Sequence, residues 1–261
     1  MRKLAMMFGS MSLVALVTLS SAAQAQISDE AFKEAMDRYL KTRDGQKQLA
    51  TTVQKYFERE RFGPSVEEQF ESPVQAEEGK RPTKGPENAP VAIFEYSEFE
   101  CPYCKRASET MKQLMQSYPN EVRLVFKNIP LPPSFHKNAT EAAYAALAAW
   151  KQGKFWEMHD LLFANQSKLS PAFYEEKAKE LGLDIDKFKK DMQSEEVKKI
   201  VAEDQKQAQE LGIQGTPGFV VKGPRGGIVM KGAQPVEKFK EVIDRWLEEV
   251  KSGKKAPAAA E

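Results

Sequence analysis

The sequence predicts an α/β fold in which a strand–helix–strand opening and a strand–strand–helix close flank a block of helices. Three observations carry this. Val91 to Phe99, "VAIFEYSEF", is a run of β-formers followed by a helix-starting Pro102. From Lys137 to Leu211 the apolar residues recur at helical spacing. "GFVVK" (Gly218 to Lys222) and "GIVMKG" (Gly227 to Gly232) then read as a hairpin around Gly223-Pro224-Arg225-Gly226, ahead of a last amphipathic helix.

The elements follow in order. Residues 1–25 have the three parts of a signal peptide: Arg2 and Lys3, an apolar run from Leu4 to Leu19, and the small-x-small site Ala23-Gln24-Ala25. The chain is therefore expected in the periplasm or secreted. Residues 26–63 read as a helical extension. Ile27, Ala31, Phe32, Ala35, Met36, Tyr39 and Leu40 form its first stripe, Gly45 breaks it, and Leu49, Val53, Tyr56 and Phe57 resume it. That stripe suits either a wrap around its own domain or an arm pairing with further copies, and the homo-oligomer is the expectation. Residues 64–88, rich in proline and charge, read as a linker or an irregular wrap.

The compact domain is expected over 89–251. After the first strand, Pro102 to Gln116 is helix, and Val122 to Ile129 ("VRLVFKNI") is a strand that a right-handed crossover places parallel to the first. The insertion, about 134–212, holds helices over Lys137–Trp150 and Phe155–Ala164, a third opened by Ser170-Pro171, and Ser194–Leu211 closed by Gly212. Val236 to Val250 is the final helix, with Phe239, Val242, Ile243, Trp246 and Leu247 on one face. The tail 252–261 reads as disordered.

With 39 basic and 38 acidic residues the chain is near neutral, which favours neither nucleic acid nor an anionic membrane as partner. Its only cysteines are Cys101 and Cys104. Disulfide staples in an exported protein are usually several and widely spaced. A zinc site needs four ligands, and His136 and His159 stand far apart. A loop this short removes little chain entropy. The pair therefore reads as redox chemistry.

Spacing then separates the two thiols. If Cys101 caps the helix and Pro102 is its first residue, Cys104 shares a face with Ala107, Met111, Leu114 and Met115 and turns to the core. Cys101 is expected at the exposed tip, where helix N–H groups, Lys105 and Arg106 favour its thiolate and Glu98 and Glu100 oppose it. Glu95 shares a strand face with Ile93 and Ser97, and is either a buried acid or turned to solvent at a sheet end. Thr216-Pro217 alone reads as a turn before a strand. His136 and His159 read as packed or capping residues.

The stretch from about Val91 to Val250 resembles the DsbA-type thiol–disulfide oxidoreductases, on "FECPYC", "GTPGF" and the helical insertion between them. The resemblance implies a thioredoxin-like fold. It also implies a cis Pro217 that with Thr216 positions a client, Pro102 and Tyr103 that tune the Cys101–Cys104 pair, and a buried Glu95 that handles the proton of Cys104. No cofactor or metal is implied, since the cysteines carry the electrons. Expected partners are unfolded or disulfide-containing client proteins and a membrane redox partner. The rival class is a periplasmic holdase or a Cu(I)-binding thiol protein.

Overall fold

The structure, a computed structural model, describes residues 29–62 and 64–253. The expected signal peptide, residues 1–25, and residues 254–261 of the tail lie outside the described residues. The chain divides into two compact units, with the boundary in sequence between Ser65 and Val66.

The first unit is a helical hairpin of α1 (Asp29–Leu40) and α2 (Arg43–Phe62). The break falls at Lys41-Thr42, not at the predicted Gly45. The Thr42 hydroxyl donates to the Tyr39 carbonyl and accepts from the Gly45 N–H, at 2.7 and 2.9 Å, so Thr42 starts α2. Gly45 lies inside that helix because the chain reverses against it: a Cβ there would sit 1.9 Å from the Tyr39 oxygen. Leu49, Val53 and Tyr56 of the predicted stripe are exposed on this unit.

In the second unit a five-stranded sheet has the order β1-β3-β2-β4-β5. Its strands are β1 (Thr83–Lys84), β2 (Val91–Ser97), β3 (Val122–Asn128), β4 (Gly218–Gly223) and β5 (Gly226–Lys231). Strands β2 and β3 are parallel, as the crossover requires, and the other pairings are antiparallel. One face packs against α4 (Pro102–Ser117) and α10 (Val236–Lys251), through Ile93, Met111, Leu114, Phe239 and Trp246. Trp246 also donates from Nε1 to the Val221 carbonyl at 3.0 Å. Gly223 is required beneath it, since a Cβ would lie 2.2 Å from the indole.

The insertion comprises α5 (Ala139–Trp150), α6 (Phe155–Ala164), α7 (Pro171–Glu180), α8 (Ile185–Met192) and α9 (Glu195–Glu210). Ser170 and Ser194 cap α7 and α9 as their sequence positions suggest. The sequence reading passed over α8, although Asp184 caps it and Ile185, Phe188 and Met192 are spaced along one face. The alanine stripe of α5 lets helices approach closely, and its core includes Phe99, Cys101, Cys104 and Phe126. The cysteines thus lie where the insertion meets the sheet.

The linker reading for 64–88 gives way to the wrap. α3 (Val66–Glu71) buries Phe70, Val74 bridges to Gly227, and β1 extends the sheet. Arg81 anchors the wrap: its Nε is 2.7 Å from Asp204, whose other oxygen accepts the Asn128 N–H at 2.9 Å. Lys127 Nζ stands 3.5 Å from the same carboxylate. Composition hid this because the few apolar side chains that hold the segment, Phe70 and Ala76 among them, are scattered among polar ones. Removing one member of a buried charge cluster leaves its partners uncompensated and costs about 3–5 kcal/mol. Asp204→Ala is expected to lose that much in denaturant unfolding, because Arg81 and Lys127 are both nearly inaccessible. A loss within the range of a surface substitution removes the anchor role.

Candidate functional site

Cys101 is the N-cap of α4, in extended conformation, with Pro102 as the first helical residue. Cys104 follows one turn later, fully buried on the face it shares with Ala107 and Met111, as the spacing predicted. Cys101 departs from expectation: it is 3% exposed rather than at an open tip. The reason is tertiary. The Thr216 carbonyl lies 3.6 Å from its sulfur. The Gln166 side chain, from the short 3-10 turn Gln166–Lys168, donates to the carbonyls of Phe99 and Cys101 at 2.8 and 2.9 Å. Pro102 and Tyr103 remain exposed, with Arg106 over the Tyr103 ring at 4.7 Å. The Thr216–Pro217 bond is cis, and Pro217 is buried.

Both cysteines are free thiols, and their environments push them apart. Cys101 is lowered to about 5, chiefly because the Cys104 thiol donates to its thiolate. Burial opposes the shift, while Thr216 and the N–H groups of Cys104 and Tyr103 assist it. The Thr216 hydroxyl is buried with no other partner, so it is available to a thiolate. Burial, then the Cys101 sulfur, push Cys104 far above the ordinary thiol range.

Glu95 is the buried acid and not a residue at a solvent-facing sheet end. It is fully enclosed in β2, and burial raises it to about 8. Neither carboxyl oxygen has a hydrogen-bond partner. The Ser97 hydroxyl, two residues on along the same face, lies near both Glu95 and Cys104 and favours the charged form of each. Glu95 also lines a pocket of about 580 Å³ with Met111, Lys112, Trp156 and His159.

Of the two histidines, read as packed or capping, His159 is packed and His136 is half-buried against a carboxylate. His159 sits among Phe99, Phe126, Phe155, Trp156 and Phe163, and burial lowers it. His136 pairs through Nδ1 with Glu98, three residues before Cys101. Glu98 is wholly buried and raised to about 7, chiefly by that burial. The sequence reading named Glu98 without its partner and placed Ser97 on the Glu95 face without a role beside Cys104, and it missed Gln166. Strand alternation placed Ser97; Gln166 carried no local signal. Among the described residues no cluster of three or more His, Cys, Asp or Glu is arranged to hold a metal ion.

This geometry frames the comparisons. Residues 92–244 match the DSBA-like thioredoxin domain family. The chain belongs to that family. A thioredoxin-like oxidoreductase from Silicibacter pomeroyi DSS-3 is 30% identical, with TM-score 0.59 over 71% of this chain and 99% of that one. Oxidised BdbD from Bacillus subtilis is 25% identical, with TM-score 0.59 over 67% of this chain and 96% of that one. The Na(+)/H(+) antiporter NhaA 3 of Salinispora tropica is 42% identical over 142 residues, which are 54% of this chain and 22% of the antiporter. The match thus spans about a fifth of that curated relative's length. Among the described residues no helix is long and apolar enough to cross a membrane.

Proposed function

We propose that the chain is an exported thiol–disulfide oxidoreductase that oxidises or isomerises disulfides in client proteins through a mixed disulfide on Cys101. The carrying observation is the opposite tuning of the two thiols, Cys101 lowered to about 5 and Cys104 raised. In the oxidising direction a client thiolate attacks Cys101 of the disulfide, and the bond to Cys104 breaks. Cys104 leaves as a thiolate and takes a proton, for which the neutral carboxyl of Glu95 is the source, reached through the Ser97 hydroxyl that neighbours both. A second client thiolate then attacks the client's own sulfur and releases Cys101 as thiolate. The client loses two electrons and the enzyme gains them, to be removed by a membrane redox partner.

A stable Cys101 thiolate stabilises the reduced enzyme, which supports donation of disulfides over reduction. The Thr216 carbonyl lies against the sulfur, next to the cis Pro217, where a client segment would lie. The exposed Leu49, Val53 and Tyr56 of α2 support self-association of the arm. Equilibration with glutathione tests the direction. A potential well above thioredoxin's, from about −180 toward −120 mV, is expected. A value near −270 mV overturns the oxidising assignment, and the absence of any reversible couple overturns the function.

A further inference from the structure

We propose that the pocket beside Glu95 is a water-filled inlet through which the buried carboxyl exchanges its proton with solvent, and that His159 is the positioning residue that holds the water next to it. The proposal rests on the dithiol reading above and deepens it.

The need arises from the chemistry of the pair. Cys104 is enclosed and held as a thiol, so its departure from the disulfide calls for a proton. When Glu95 supplies that proton through Ser97, a carboxylate is left inside the domain. A buried charge without hydrogen bonds is costly. Something must hydrate it and return the proton.

The pocket, about 580 Å³, has room for several waters. Two of its polar side chains are enclosed: Glu95 is 0% exposed and His159 4%. Glu95 pairs in register with Phe126, and the His159 ring packs on the Phe126 ring with centroids 5.2 Å apart. Neither carboxyl oxygen of Glu95, nor Nε2 of His159, has a hydrogen-bond partner within the protein. Other polar groups of the pocket are engaged. The Ser108 hydroxyl donates to the Lys105 carbonyl and the Trp156 indole to the Thr83 carbonyl, each at 2.8 Å. At the exposed mouth Lys112 stands 3.7 Å from Asp160.

The neighbours of His159 fix its tautomer. Nδ1 lies 3.0 Å from Asp160, and that contact holds Asp160 below the usual carboxylate range. A carboxylate only accepts, so Nδ1 carries the hydrogen. Burial opposes a second proton, as do Lys112 and Lys84, against the pull of Asp160. Nε2 is therefore a bare acceptor on the pocket wall, while the neutral Glu95 O–H is a donor. A water between them donates to Nε2 and accepts from Glu95. Once Glu95 has given its proton away, the same water turns its second hydrogen to the carboxylate. Further pocket waters bring a proton from solvent to refill it. Glu95 has two oxygens, so it serves Ser97 and the pocket together.

The test uses the full chain with His159→Leu, which removes the acceptor, and His159→Gln, whose amide oxygen replaces Nε2. Infrared difference spectra against Glu95→Gln isolate the Glu95 carboxyl. In heavy water the wild-type carboxyl is expected to deuterate within the mixing time; a carboxyl that stays protonated for minutes has no inlet. Its carbonyl band is expected to shift in His159→Leu, which loses the held water, and to stay near the wild-type position in His159→Gln. Reduction of the oxidised chain by dithiothreitol is expected to slow about tenfold in His159→Leu, with a larger solvent deuterium isotope effect, and to recover in His159→Gln. Leucine suits a site walled by Phe99, Phe126, Phe155 and Phe163, so denaturant unfolding is expected to show no loss of stability. A packing role moves stability and leaves the isotope effect alone. Reduction of His159→Leu at the wild-type rate, or glutamine no faster than leucine, overturns the role of His159. A wild-type chain without a reversible dithiol couple instead sinks the proposed function, while the infrared band still reads the water, so the two failures are distinguishable.

Discussion

Cys101→Ser abolishes dithiol exchange, while Cys104→Ser yields a protein that captures clients as mixed disulfides and does not release them. The expectation follows from burial and charge. Cys104 is enclosed and held as a thiol, so no client reaches it first. Cys101 at about 5 is almost wholly thiolate at neutral pH, roughly thirtyfold more so than an ordinary cysteine. That gain does not make it a faster nucleophile. Intrinsic nucleophilicity falls with pKa, and a drop of this size costs about fiftyfold, which cancels it. What survives the cancellation is leaving-group ability: a sulfur that is stable as thiolate departs readily from a mixed disulfide. The tuning therefore serves release of an oxidised client more than attack on one. Non-reducing electrophoresis with mass spectrometry of the trapped species reads the outcome. Client adducts on Cys104 in a Cys101→Ser chain reverse the assigned roles.

Legibility in the sequence followed the range of the interaction. A run of β-formers placed β2, alternation placed β3 and period-3.6 stripes placed α4 and α10, because each signal is local. The spacing of Cys101 and Cys104 gave their unequal burial for the same reason, and Glu95 was recognisable as an acid on an apolar strand face. What failed was non-local or polar. Residues 66–84 join the domain through Arg81, Asp204 and Lys127, and sequence distance conceals that pairing. Cys101 was expected in the open because the helix start alone exposes it; Gln166 and the Thr216 loop, far along the chain, cover it. Glu98 was visible as a charge, but its contact with His136 was not, since the two meet only in the fold.

Glu95→Gln stabilises the protein in a pH-dependent way. Glu95 titrates at about 8 in the folded chain and near 4.5 when unfolded, so between these values the folded state holds a proton that the unfolded state has lost. Stability from this group is then greatest below the unfolded value and falls as pH rises through the window, by on the order of 4 kcal/mol near pH 8. Glutamine imitates the neutral carboxyl at every pH. The variant is expected to match wild type near pH 4 and to exceed it progressively toward pH 8, the difference isolating Glu95 from other titrating groups. Denaturant unfolding of the reduced proteins at several pH values measures it. A constant difference between the two proteins would mean that Glu95 titrates alike in the folded and unfolded chain. The same variant is expected to exchange disulfides more slowly, because Cys104 loses its nearby source and acceptor of a proton. Gain in stability with loss of turnover is the pattern of a group kept buried for its chemistry. Loss of both would instead make Glu95 a packing residue, and would leave Cys104 to exchange its proton with solvent.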